Sequence, residues 1–75
     1  MYKEDYDGAM LFVFEEPGRH SFWMKNVRFP LDIIFLNENM EVVDFFGNTP
    51  PCEKDPCPLY TPSEDVLFAI EVKSE

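Results

Sequence analysis

Hydrophobic residues along the chain fall into short runs separated by turn-forming residues, a pattern typical of β strands. Five runs predict strands at 9–14, 19–27, 31–36, 40–46 and 66–72. Pro17-Gly18 follows the first run, and this pair favours a tight type II turn that would end the strand. A short helix is left open only within residues 1–8. The pattern predicts one small, mainly β domain over residues 1–75, a compact antiparallel barrel or sandwich with at most a short helix.

The second run contains the stretch RHSFWMKN, which carries aromatic residues on both faces of a predicted strand. Alternation places His20, Phe22, Met24 and Asn26 on one face, and Ser21, Trp23, Lys25 and Val27 on the other. Trp23 with Lys25 and Asn26 forms an aromatic platform flanked by hydrogen-bond donors, a combination that suits polar ligands. The alternative is a Trp23 that packs in the core or against the lysine stem.

Asp32 is the single polar side chain in the predicted strand 31–36. A carboxylate among Leu, Ile and Phe side chains must be paired, hydrogen-bonded or exposed at an edge. We expect its partners to be Arg28, Lys25 or backbone N–H groups of the turn at 28–30. Structural pairing is the favoured interpretation, because perturbed carboxylates are often architectural.

Catalysis would use the single histidine, His20. Ser21 is adjacent to it and would point to the opposite face, so the two cannot form a nucleophilic dyad on a strand. No G-x-S-x-G motif is present. His20 and Asp32 are the remaining candidates for an acid and a base.

Five prolines between residues 47 and 62 predict a long loop. It contains Cys52 and Cys57, for which a disulfide, two free thiols and a metal site are the three interpretations. A structural zinc site needs four ligands, and His20 is the only further Cys or His side chain. We therefore predict no metal and no cofactor. Tyr60 ends the segment that could roof the Trp23 surface.

The charge balance excludes several partners, because 15 acidic residues face six basic ones and the net charge is −9. Such a surface repels phosphate backbones and anionic lipids, so we predict no nucleic-acid partner. The longest apolar run, AMLFVF, is far shorter than the ~20 residues that span a bilayer, which predicts no membrane insertion. The first residues lack a signal-peptide pattern, and a cytoplasmic location is the default prediction.

Three motifs, F-W-M-K-N, P-L-D and P-C-x4-C-P-x-Y, together resemble the family known as domain of unknown function 192. The family pattern maps onto His20, Trp23, Met24, Asn26, Pro30, Leu31, Asp32, Pro51, Cys52, Cys57, Pro58 and Tyr60. The resemblance implies a compact, mainly β domain and brings no established reaction. It also implies an additional segment on each side of the pattern, so the chain is expected to be truncated at both ends relative to relatives.

Strand edges that such segments would cover are expected to be exposed, and a homodimer could close them. Many relatives resemble exported proteins, which suits a Cys52–Cys57 disulfide and leaves an exported origin open. The sequence thus predicts a non-enzymatic binding module in which a small polar ligand or a protein partner contacts Trp23, Lys25, Asn26, Asp32 and Tyr60. A small hydrolase-like enzyme and a purely structural or interaction domain are the alternatives.

Overall fold

The computed structural model describes the backbone of residues 2–6 and the whole of residues 8–74. Its strands are β1 (Tyr2–Tyr6), β2 (Ala9–Gly18), β3 (Phe22–Trp23), β4 (Leu31–Leu36), β5 (Val42–Thr49), β6 (Leu59–Tyr60) and β7 (Val66–Lys73). Five of them form an antiparallel sheet in the order β1-β2-β7-β4-β5, and β3 pairs with β6 in a separate ribbon. The prediction of a mainly β fold is confirmed. Within the described residues the sheet keeps β1 and β5 as open edges, so the arrangement is sandwich-like and not a barrel.

The last strand of the chain holds the sheet together, because β7 lies between β2 and β4. Its apolar residues fit a central position that is bounded by strands on both sides. Ala69 pairs with Phe12 on one side and with Phe35 on the other, and all three are buried. The small Ala69 leaves room between two rings, so residues that are far apart in sequence close the core.

The β3–β6 ribbon covers one face of the sheet. The ring centroid of Phe22 in β3 lies 4.9 Å from that of Phe12 and 5.7 Å from that of Phe35. Met24, which follows β3, is 1 % exposed. Tyr60 of β6 packs edge-on against Phe46, with centroids 5.5 Å apart. Aromatic rings therefore fill the layer between ribbon and sheet.

The other face of the sheet carries a second set of apolar side chains. Leu11, Ile70 and Ile34 lie in register across β2, β7 and β4, alternate with the core residues, and are half-buried. Phe45 continues the row on β5 and is 58 % exposed. Among the described residues the ribbon packs on the first face alone, so this second face is less well covered. The homodimer through strand edges stays a prediction.

Two features at the start of the chain differ from what the sequence predicted or left open. The short helix left open within residues 1–8 is replaced over residues 2–6 by β1, which pairs with β2, while Met1 and Asp7 lie outside the described residues. So short a helix is marginal in water, whereas a strand gains a ladder of hydrogen bonds to its neighbour. In addition, β2 runs on through Pro17 to Gly18, because an irregularity in its register with β7 after Val13 absorbs the extra residues.

Two further boundaries differ from the prediction. The predicted strand at 19–27 is reduced to the two residues of β3, because the chain turns at Asn26, whose φ is 66°. The proline-rich segment at 47–62, predicted to be a loop, begins with the end of β5 and contains β6. Leu59 and Tyr60 lie between prolines and can pair because an edge strand needs hydrogen bonds on one side only.

Truncating Phe35 tests this assignment of the core. Phe35 is fully buried, so Phe35→Ala is expected to lower the free energy of unfolding by about 3–5 kcal/mol. The matched control is Phe45→Ala on the same sheet, which is expected to cost less than about 1 kcal/mol because its ring is 58 % exposed. Urea unfolding followed by circular dichroism measures both. Equal losses would contradict the assignment of the two faces.

Candidate functional site

The outward side of the β3–β6 ribbon holds an exposed aromatic side chain, Trp23. Phe22 and Met24 point into the core, and Trp23 between them points out and is 50 % exposed. Its partner across the ribbon, Leu59, is 64 % exposed. Trp23 therefore does not pack in the core, whereas its contact with Lys25 agrees with the other half of that alternative. Alternation along a two-residue strand is enough to create an exposed apolar pair.

Lys25 extends the same side of the ribbon. Its Nζ lies 5.2 Å from the centroid of the Trp23 ring, within the range of a cation–π contact. The same Nζ donates to Asp55 Oδ2 at 2.7 Å, and both side chains of this ion pair are accessible to water. Asp55 thus fixes the direction of the ammonium group and neutralises its charge beside the ring.

A pair of hydroxyl groups closes the opposite end of the ribbon. Ser21 and Thr61 flank the paired residues of β3 and β6, and their oxygens are 2.7 Å apart in a hydrogen bond. Ser21, Phe22, Trp23 and Leu59 line an open groove along this side. We name the side chains of Ser21, Thr61, Trp23, Leu59, Lys25 and Asp55 the ribbon face. It carries hydroxyls at one end, an apolar pair in the middle and a charged pair at the other end.

A disulfide borders the charged end of the ribbon face. Cys52 and Cys57 are bonded, with Cα atoms 5.8 Å apart, so the structure shows the first of the three interpretations of these cysteines. The Cys52 N–H donates to the Met24 carbonyl at 3.2 Å, and Cys52 forms a bridge with Lys25. The proline-rich segment is thus tied to the chain directly after β3.

Asp32 has a structural environment that differs from the predicted one. Its Oδ1 accepts hydrogen bonds from the Asn48 N–H at 2.7 Å and the Ser74 hydroxyl at 2.6 Å. These two donors, the Ser74 hydroxyl first, hold the pKa of the carboxyl below its usual value of 3.8. The predicted partner Lys25 is paired with Asp55 instead. The sequence could not indicate Asn48 and Ser74, because both reach Asp32 through strand pairing.

Asp32 stabilises an irregularity of the sheet. Between Leu31 and Ile33 the register of β4 with β5 shifts by one residue, and Asn48 lies in the extra segment with a φ of 53°. A bulge leaves backbone groups without their regular ladder partners. The Asp32 carboxylate accepts the N–H of Asn48, and the Thr49 hydroxyl donates to the Leu31 carbonyl at 2.7 Å. These contacts support the structural interpretation of Asp32.

His20 is held against the core side of the sheet. Its ring stacks on Phe14, with centroids 4.0 Å apart and planes 13° apart, and its Nε2–H donates to the Glu16 carbonyl at 2.9 Å. Asp32 alternates with the core residues Leu31 and Ile33 and so points to the opposite face. The structure therefore does not bring His20 and Asp32 together, as a shared acid–base site would require.

The remaining predicted residues lie apart from Trp23. Tyr60 is half-buried and contacts Phe46, so it points inward from β6. Asn26 is exposed and, with Arg28 and Cys52 among others, lines a separate cleft beside the disulfide. Of the five predicted ligand-binding residues, the structure brings together Trp23 and Lys25. Alternation from Tyr60 could have indicated Leu59, whereas no sequence signal marks Asp55.

A family model described as "Uncharacterized ACR" matches residues 1–75, the whole chain, which confirms the resemblance found in the motifs. The chain belongs to the DUF192 family. No curated protein and no solved structure matches it.

Two features of this DUF192 domain concern metals and membranes. Within residues 8–74, no three His, Cys, Asp or Glu side chains are grouped closely enough to hold a metal ion. The described part of the chain has no helix that is long and apolar enough to cross a membrane.

The lowered pKa of Asp32 predicts a pH-dependent contribution to stability. A carboxyl whose pKa is lower in the folded than in the unfolded chain stabilises the fold above its unfolded pKa and loses this effect as pH falls through the folded value. Asp32→Asn is therefore expected to be less stable than the native chain at pH 7, and the difference is expected to shrink below about pH 4. Urea unfolding at a series of pH values measures it.

The control variant is Asp65→Asn, which removes one negative charge at an exposed position. A stability difference between Asp32→Asn and the native chain that stays constant from pH 7 to pH 2 would contradict the role assigned to the ionised carboxylate.

Proposed function

We propose that this DUF192 domain is a small non-enzymatic binding module whose ribbon face takes a neutral polar ligand of the saccharide class. The proposal rests on the spatial order of the chemical groups along that face. A half-exposed indole lies between a hydroxyl pair at one end and an ammonium–carboxylate pair at the other. Residues 21–25 would span about 13 Å if fully extended, a length comparable with a small oligosaccharide.

The chemistry of the ribbon face fits such a ligand. The C–H groups on one side of a sugar ring pack well against an aromatic face, and Trp23 offers this surface. Sugar hydroxyls both donate and accept hydrogen bonds, so they match the Lys25 donor and the Asp55 acceptor. Because these two charges cancel locally, a neutral ligand is favoured over an anion or a cation.

The placement of the acid–base candidates supports binding over catalysis. His20 donates to a backbone carbonyl and stacks on Phe14, and Asp32 accepts hydrogen bonds at a bulge on the opposite side of the sheet. General acid–base catalysis needs both groups within reach of one substrate. Both side chains instead have local contacts that explain their presence.

A protein partner is the second candidate occupant of the ribbon face. Trp23 and Leu59 form an exposed apolar pair, and tryptophan is enriched among residues that dominate the binding energy of protein interfaces. The affinity for a saccharide and the affinity for a protein partner would depend on Leu59 to different extents. A sugar ring uses mainly the indole and the polar ends, whereas a protein interface also buries the leucine.

Titration of the oxidised chain with a panel of neutral mono- and oligosaccharides tests the proposal. Trp23→Ala is expected to weaken binding at least about fivefold, because one aromatic contact contributes ~1 kcal/mol beyond its buried area. Isothermal titration calorimetry measures the affinities. Phe45→Ala, which removes an exposed ring from another part of the molecule, is the matched control and is expected to bind like the native chain.

Two results would contradict this proposal. The first is the absence of saccharide binding by the oxidised native chain. The second is binding that Trp23→Ala leaves unchanged, which would place the ligand away from the ribbon face. Leu59→Ala separates the occupants, since it is expected to leave saccharide affinity nearly unchanged but to weaken a protein complex.

A further inference from the structure

The disulfide encloses the residue that positions Lys25. Cys52 and Cys57 close a ring of six residues, and Asp55 lies inside it. Residues 53–56 are all exposed, so the ring projects into solvent. We name residues 52–57 the disulfide ring. Among the described residues, few contacts join the disulfide ring to the β3–β6 ribbon.

Two hydrogen bonds link the disulfide ring to residues 24 and 25, at the end of β3. At its first residue, the Cys52 N–H donates to the Met24 carbonyl at 3.2 Å. In its middle, Asp55 Oδ2 accepts from Lys25 Nζ at 2.7 Å, and this Nζ is the group 5.2 Å from the Trp23 ring. The position of the ammonium group over the indole thus depends on where the ring holds Asp55.

An exposed ion pair alone does not fix the positions of its two side chains. Lys25 and Asp55 have side chains that are 32 % and 59 % exposed, and such pairs contribute little on their own because water screens them and both side chains lose freedom. The covalent ring supplies the missing constraint, since it limits the conformations that residues 53–56 can adopt. Without the bond, the contact described above between the middle of residues 53–58 and β3 is the exposed Lys25–Asp55 pair alone.

We propose that the disulfide ring is a redox-sensitive tether that regulates the ribbon face. With the bond closed, Asp55 holds Lys25 over Trp23, and the face is preorganised for its ligand. With the bond opened by thiols, Asp55 moves away, Lys25 leaves the indole, and the ligand must order these side chains when it binds. The regulatory effect on affinity rests on the proposed function, whereas the movement of Lys25 does not.

The chemical step is thiol–disulfide exchange with an external thiol. Its thiolate attacks one sulfur of the Cys52–Cys57 bond, and the other cysteine leaves as a thiolate that takes up a proton. A second external thiol attacks the mixed disulfide and releases the remaining cysteine as a thiol. Two external thiols are oxidised to one disulfide, and the protein disulfide is reduced to two thiols.

Fluorescence of the single tryptophan provides a readout that needs no ligand. The full chain is measured oxidised and after reduction with dithiothreitol, with loss of the disulfide verified by mass and retention of the fold verified by circular dichroism. Acrylamide quenching of Trp23 is expected to rise on reduction, because Lys25 no longer lies against the ring. Unchanged quenching in the verified reduced chain would overturn the proposal.

Two variants in the disulfide ring separate the tether from a general effect of reduction. Asp55→Asn keeps the disulfide but removes the charge that holds Lys25, so its oxidised form is expected to quench like the reduced native chain and to respond little to dithiothreitol. Glu53→Gln removes a neighbouring charge in the same ring and is expected to respond like the native chain. A native-like response in Asp55→Asn would overturn the proposal.

Saccharide titrations of both redox forms complete the test. Reduction is expected to weaken binding roughly tenfold, the effect of ordering about two side chains. A fluorescence response without saccharide binding in either form would support the tether and contradict the proposed function. Equal saccharide affinity together with equal quenching in both forms would overturn the tether and leave the proposed function supported.

Discussion

The packing of Phe22 against the sheet is the interaction on which the rest of the molecule depends. Its ring lies 4.9 Å from Phe12, 6.0 Å from Phe14 and 5.7 Å from Phe35, centroid to centroid, and so joins β3 to both β2 and β4. Because neighbouring side chains of a strand point in opposite directions, an inward Phe22 requires an outward Trp23. The core and the candidate site are therefore two sides of one two-residue strand.

The two faces of the sheet are covered to different extents by the described residues. In the described residues, the ribbon and its flanking loops cover the face that carries Phe12 and Phe35, while Leu11, Ile34 and Ile70 on the other face stay half-buried. Domains of this size bury a smaller fraction of their surface than larger ones, so each aromatic contact contributes a larger share of the stability. This explains why the covered face relies on large rings, which bury much area per residue.

The sequence indicated the strands whose apolar residues are continuous or alternating, and it could not indicate features that arise from pairing. β2, β4, β5 and β7 follow from local patterns, whereas β1 and β6 are short strands whose partners stabilise them. In the site, Trp23 and Lys25 follow from local alternation, but Asp55 reaches Lys25 through a disulfide ring 30 residues away. The apolar neighbours of Asp32 marked it as unusual in the sequence. Its hydrogen-bond donors could not be predicted, because the bulge positions the Asn48 N–H and the end of β7 positions the Ser74 hydroxyl.

Nuclear Overhauser contacts between aromatic protons report which of the two neighbouring rings, Phe22 or Trp23, faces the sheet. We predict contacts from the Phe22 ring to Phe12 and Phe35. The Trp23 indole is expected to contact Leu59 and the Lys25 methylenes, and neither of these two phenylalanines. Contacts from the Trp23 indole to Phe12 or Phe35 would contradict this arrangement, because they would show that Trp23 faces the sheet. The candidate site would then be part of the core.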